Sequence, residues 1–135
     1  MGLDYGSRTV GVALTDPLGI IAQPFETITR QSEKKLRRTL ARIEEISGQY
    51  DVRCIVLGLP LNMDGTIGER AVRTMEFKEK LEMRLKLPVI LRDERLTTVE
   101  ADEDLSEMEV PRSRRKQYID QLAAVYILED YMHNT

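Results

Sequence analysis

Two short apolar runs constrain this chain more than anything else in it. "RCIVLGL" (53–59) and "PVILR" (88–92) are nearly free of polar interruption, as expected of strands covered on both faces. Between them Phe77, Leu81 and Leu85 recur at helical spacing and mark a helix that ends before Pro88. A strand, a helix and a strand in that order must pair parallel through a right-handed crossover. The core is therefore an α/β sheet with helices on its faces.

The segment ahead of these runs reads differently. "GLDYGSRTVGVALTD" (2–16) alternates as two strands joined by a turn at Gly6 and Ser7, and "IIAQPFETI" (20–28) reads as a third. Pro24 cannot donate to a ladder, which places that third strand at an edge. Leu36, Leu40 and Ile43 then mark a helix from about Glu33 to Gly48. Thr97 with Glu100 forms a capping box for a helix through about Met108, and a last helix runs from near Pro111 to about Tyr131. The expected order is β-β-β-α-β-α-β-α-α, a mixed sheet whose first three strands are antiparallel, within one domain over 1–135.

The residue inventory narrows the chemistry. Cys54 is the one cysteine and reads as a small core residue, so neither a disulfide framework nor a zinc cluster can be built. The one histidine, His133, sits two residues from the end of the sequence. No apolar run approaches the roughly 18 residues of a membrane helix and no secretory leader is visible, so a cytoplasmic protein without membrane contact is expected. Any catalysis must come from carboxylates, Lys, Arg and hydroxyls.

Asp4 stands inside an apolar strand, where an uncompensated carboxylate is costly. It shares a face with Gly2 and Gly6, and Thr9, Gly11, Ala13 and Thr15 make a small-residue face on the next strand. That bare floor suits the close approach of a ligand or of a packed helix. No basic residue lies near Asp4 in sequence, which points to a bound cation as its partner; a plain turn-capping role is the alternative. Asp93 and Glu94 follow the final strand at its carboxyl end, where active sites of such sheets lie, unless Arg92 or Arg95 simply pairs them. Asp120 precedes Ala123, Ala124 and Ile127 at helical spacing and so lies on or beside the stripe that faces the sheet, with Lys116 as its alternative partner. Acids without His or Cys suit Mg²⁺ or Mn²⁺, and paired ions of this type activate water in phosphodiester hydrolysis.

The net charge of −3 conceals basic blocks at "KKLRR" (34–38) and "RSRRK" (112–116). Such blocks are ordinarily solvated helix faces, yet a phosphate track needs only a local positive patch. The second block lies within about two turns of Asp120.

"GLDYGSRTVGVALTD", "VLGLPLNMDGT", "DERLTT" and "DQLAAVYIL", in this order across nearly the whole chain, closely resemble the YqgF/RuvX family, described as Holliday junction resolvases and pre-16S rRNA nucleases with a ribonuclease H-like fold. The resemblance implies a five-stranded sheet of order 3-2-1-4-5 flanked by helices. It implies a nuclease, a hydrolase of ester bonds, that either processes the 5′ end of pre-16S rRNA in ribosome biogenesis or resolves Holliday junctions. By it Asp4, Glu94 and Asp120 match the catalytic and metal-holding acids of two Mg²⁺ or Mn²⁺ ions, with Asp93 as a further neighbour. Arg8, Arg112, Arg114, Arg115 and Lys116 are the expected nucleic-acid contacts. Gly58, Pro60, Asn62, Asp64 and Gly65 match a loop expected at the site rim. The chain departs from the family at its start, where only three residues precede Asp4, and at Thr9, where many members carry a further basic residue.

Expected partners are structured RNA or branched DNA and pre-ribosomal particles, for a monomer or a homodimer. Two rival readings remain open. The opening stretch also resembles the first phosphate loop of actin-like ATPases, which need two lobes around a nucleotide. A non-catalytic nucleic-acid-binding module for ribosome assembly is the other.

Overall fold

The computed structural model describes residues 1–94 and 112–133, with side chains in the last helix from Tyr118 onward. Five strands form one sheet in the order β3-β2-β1-β4-β5. They are β1 (Gly2–Tyr5), β2 (Thr9–Thr15), β3 (Ala22–Thr29), β4 (Ile55–Leu59) and β5 (Val89–Asp93), with helices α1 (Arg37–Gln49), α2 (Glu69–Leu85) and α3 (Arg112–His133). The expected order and pairing hold: β1 and β2 run antiparallel, as do β2 and β3, while β4 lies parallel to both β1 and β5. The helix expected through Thr97 and Glu100 lies outside the described residues.

Pro24 falls on the edge strand, as its missing N–H requires. It pairs with Ala13, whereas Glu26 pairs with Val12, so Phe25 is an extra residue and the ladder is broken at that point. The irregularity accommodates a proline that a regular ladder would leave without a donor.

Strand alternation divides the sheet into two unlike faces. Leu3, Tyr5, Val10, Val12, Ile55 and Leu57 point to one side, where Ile43 and Ile46 of α1 and Phe77 and Leu81 of α2 close over them. Each of these fully buried side chains contributes about 1.5–3 kcal/mol. Tyr5 stacks on Phe77 with ring centroids 4.1 Å apart. Ala13 and Val56 face the other side, covered by Ala124, Val125, Ile127 and Leu128 of α3.

The glycines explain why α3 can come so close. A β-carbon on Gly2 would sit 2.6 Å from the Ala124 carbonyl oxygen, and one on Gly11 would overlap the backbone of Asp120. The small-residue floor read from the sequence is therefore occupied by a helix rather than by a ligand. Cys54 departs from its expected place: it is half-buried, just ahead of β4, and the core begins at Ile55. Among the described residues no helix is long and apolar enough to cross a membrane.

Candidate active site

Sheet register brings the candidate acids to one edge. Asp4 is next to last in β1 and pairs across with Gly11. Glu94 follows β5, and its backbone N–H donates to the Leu59 carbonyl at 3.1 Å, which holds the acid beside the end of β4. Gly58 makes the room, since a β-carbon there would collide with the Glu94 carboxylate and with Ile127. Glu94 is consequently 8% exposed, an unusual position for an acid.

The Asp4 and Glu94 carboxyls are hydrogen-bonded to each other. Burial raises both above the ordinary carboxylate range, Asp4 to about 6 and Glu94 further. Repulsion from Asp4 adds to the rise at Glu94, and the bond between them favours ionised Asp4 and protonated Glu94. Two carboxyls this close cannot both stay ionised without a counter-charge, so the pair binds a proton more tightly than an ordinary carboxylate.

Asp120 is near enough that its charge raises both. Its own Oδ2 accepts a hydrogen bond from Thr9 Oγ1 at 2.7 Å, which ties α3 to the start of β2. Among the described residues no three acids converge as a ready-made metal site, and the Asp120 carboxylate is engaged by Thr9. Asp93 ends β5 exposed, in register with Leu59, while Glu94 turns inward. Arg92 does not serve these acids: its Nε lies 4.0 Å from Asp130 and its guanidinium rests over the Tyr131 ring.

One participant carried no sequence signal. Arg70, in the first turn of α2, is the cation whose charge lowers the proton affinity of both Asp4 and Glu94. It pairs with Glu33 and donates to the Tyr5 carbonyl at 3.4 Å, adjacent to Asp4. A basic residue 66 positions away in a mostly polar helix has no pattern that would single it out. Arg30 is a second such residue, with its guanidinium 4.7 Å from the Tyr5 ring centre and Nη2 donating to the Gly6 carbonyl at 2.5 Å.

The loop after β4 is braced internally. Asn62 N–H donates to the Thr66 carbonyl at 2.9 Å and Gly65 N–H to the Asn62 carbonyl at 2.8 Å. Asp64 Oδ1 accepts from the Thr66 N–H and hydroxyl. Gly65 has φ +88°, which glycine adopts at little cost. Asn62 packs against Gly68, the residue before α2. Gly58 thus seats Glu94, while Asn62, Asp64 and Gly65 shape the passage from Pro60 into the helix that carries Arg70. Arg8 is exposed at the β1–β2 turn. Arg112, Arg114, Arg115 and Lys116 lie in the first turns of α3, on the helix that carries Asp120.

The family model described as "RuvX: Holliday junction resolvase" matches residues 1–134. A protein of Lachnospira eligens named "Putative pre-16S rRNA nuclease" is 64% identical over 134 residues, covering 99% of this chain and 96% of that relative. One of the same name from Agathobacter rectalis is 52% identical, covering 98% and 92%. Among solved structures, Thermus thermophilus RuvC in complex with a Holliday junction substrate aligns over 98% of this chain and 91% of that one, with TM-score 0.59 and 15% identity. The fowlpox virus Holliday junction resolvase aligns with TM-score 0.54 and 14% identity, covering 99% and 97%. These two similarities show the fold, a ribonuclease H-like mixed sheet. By the family match and the identity to its relatives, this chain belongs to the RuvX family.

Proposed function

We propose that the chain is a divalent-metal-dependent nuclease that cuts structured nucleic acid, with precursor 16S rRNA as its substrate. The observation that supports this most is the Asp4–Glu94 pair: two carboxyls pressed together at the carboxyl edge of a sheet, with Asp120 nearby. The donor set fits a hard cation. It offers oxygen ligands alone, and its two buried acids lack enough positive charge to ionise together. Asp4 and Glu94 would hold the ion, and Asp120 would be the third acid if freed from Thr9. A bound Mg²⁺ or Mn²⁺ supplies Lewis acidity, polarising water and the phosphate. The chain's own part is to orient those carboxylates, to place Arg70 behind them and to present Arg8 and the basic start of α3 to the phosphate backbone.

The test is cleavage of precursor rRNA and of branched DNA in Mg²⁺ or Mn²⁺, comparing wild type with Asp4→Asn. Loss of several kcal/mol of metal stabilisation slows the variant by about a thousandfold. Equal cleavage by both proteins overturns the assignment.

The engagement of Asp120 by Thr9 favours a second reading, a nucleic-acid-binding assembly module without turnover. Salt-sensitive RNA binding that survives Asp4→Asn, with no cleavage by the wild type, identifies it.

A further inference from the structure

The segment from β3 to α1 forms an open basin of about 520 Å³ on the surface. Arg30, Lys34, Lys35, Arg37 and Arg38 line it, and no carboxylate does. The one acid in this stretch, Glu33, is turned away to pair with Arg70 and Arg73 of α2. The four cations from 34 to 38 are exposed, and Leu36 between them is buried in the core and anchors the segment. Arg30 forms the basin's inner wall, its guanidinium held over the Tyr5 ring and on the Gly6 carbonyl. Five cations held together against their own repulsion, in a chain of net charge −3, favour an anionic occupant.

The basin lies at the same sheet edge as the acids. Thr29 pairs with Thr9 and Tyr5 with Val10, so β3 and β1 end side by side across the start of β2. Arg30 N–H donates to the Arg8 carbonyl at 2.8 Å, and its guanidinium reaches the Gly6 carbonyl, two residues from Asp4. Two strand spacings of about 4.8 Å separate β3 from β1. That span is about three phosphate steps of a duplex strand, at about 3.4 Å each along the axis.

We propose that Arg30, Lys34, Lys35, Arg37 and Arg38 form a phosphate-backbone subsite that holds the nucleic-acid strand a few nucleotides from the acid cluster. The inference rests on the reading of a nucleic-acid substrate and gives it a track on the β3 side, opposite the basic start of α3. The subsite reads charge and spacing rather than sequence, because phosphate contacts carry no base information. An acidic peptide is the poorer occupant, since the one apolar side chain in the lining, Leu36, is buried and offers no anchor.

The experiment measures binding of a fluorescein-labelled RNA duplex of about 20 base pairs in EDTA, by anisotropy across a salt series. The basin variant combines Lys34→Gln, Lys35→Gln, Arg37→Gln and Arg38→Gln. A control of equal charge loss combines Arg53→Gln, Lys80→Gln, Arg84→Gln and Lys86→Gln on exposed positions elsewhere. Thermal melting confirms that both remain folded. The basin variant is expected to flatten the slope of log affinity against log salt by about 2 to 3, at about 0.9 per phosphate lost, and to bind at least about tenfold more weakly near 0.1 M salt. The control is expected to change the slope by less than half as much. An unchanged slope in the basin variant, or an equal loss in the control, overturns the subsite. So does a labelled polyglutamate peptide that the wild type binds as tightly as the duplex. Cleavage in Mg²⁺ is scored separately. A wild type that binds through the basin but cuts nothing removes the nuclease reading and leaves the subsite standing. A wild type that cuts RNA while the basin variant keeps its full slope does the reverse.

Discussion

Gly11 lies directly beneath the backbone of Asp120: a β-carbon at Gly11 would overlap the Asp120 carbonyl oxygen. The position of a candidate active-site acid is therefore set by the absence of a side chain on the strand below it.

Gly11→Ala should push α3 off the sheet and destabilise the fold by at least about 1–3 kcal/mol, the range for overpacking a close contact. Gly48→Ala is the counterpart. A β-carbon there meets nothing within 4 Å in α1, so the change should stabilise by about 0.5 kcal/mol through helix propensity. Urea midpoints check both, and a neutral Gly11→Ala would show that α3 is not seated as described.

The Asp4–Glu94 pair sets a pH dependence of definite sign. Both acids bind protons more tightly in the folded chain than at their ordinary values of 3.8 and 4.5. The folded state then holds more protons than the unfolded one, and stability falls as pH rises. The pair's contribution is complete below about pH 4 and is lost as pH climbs through about 6 and beyond. In EDTA, Tm should drop across this window, and Asp4→Asn should flatten the drop.

Divalent ions should reverse that loss. Mg²⁺ at about 100 times its dissociation constant stabilises by about 2.7 kcal/mol, provided only the folded state binds it. The gain should be larger at pH 8 than at pH 5, where protons compete for the same oxygens. Identical shifts in wild type and in Asp4→Asn would place the ion elsewhere.

Thr9→Val removes the hydroxyl that holds Asp120 and keeps the β-branched shape suited to the strand. The cost should be about 1.5–3 kcal/mol if Asp120 is ionised, the range for hydrogen bonds to charged groups. Denaturant unfolding reads the stability. Tighter Mg²⁺ binding in the variant, followed by calorimetry, would mark Thr9 as a competitor for the Asp120 carboxylate.

Arg70→Met takes away the cation that counters both acids. The carboxyl of Asp4, followed by carbon-13 NMR, should then titrate at higher pH than in the wild type. A lower or unchanged midpoint would show that the field of Arg70 does not reach Asp4.

The sheet was legible because its signals are local. Pro24 marks an edge, "CIVLGL" marks a strand covered on both faces, and the turn at Gly6 joins two strands of opposite direction. These features give the strands and their directions, while the order 3-2-1-4-5 was carried by the family resemblance. Asp4, Glu94 and Asp120 stood out because each interrupts or borders an apolar pattern. Their mutual arrangement did not. The bond from Thr9 to Asp120 spans 111 residues, and the ties of Arg70 join its helix to the turn at Glu33 and to the end of β1 at Tyr5. Neither is expressed in any periodicity. The glycines illustrate the same limit, since Gly2 and Gly11 announce a close approach without saying what approaches. Here it is the carbonyl oxygens of Ala124 and Asp120.

Phe25, the extra residue between Pro24 and Glu26, has a consequence for life in a crowded solution. An intruding strand that tried to extend the sheet along β3 would meet a missing donor at Pro24 and a broken spacing at Phe25. The exposed border of β3 is thus a poor template for another chain, which protects the protein from strand-by-strand aggregation while leaving the neighbouring basic surface open.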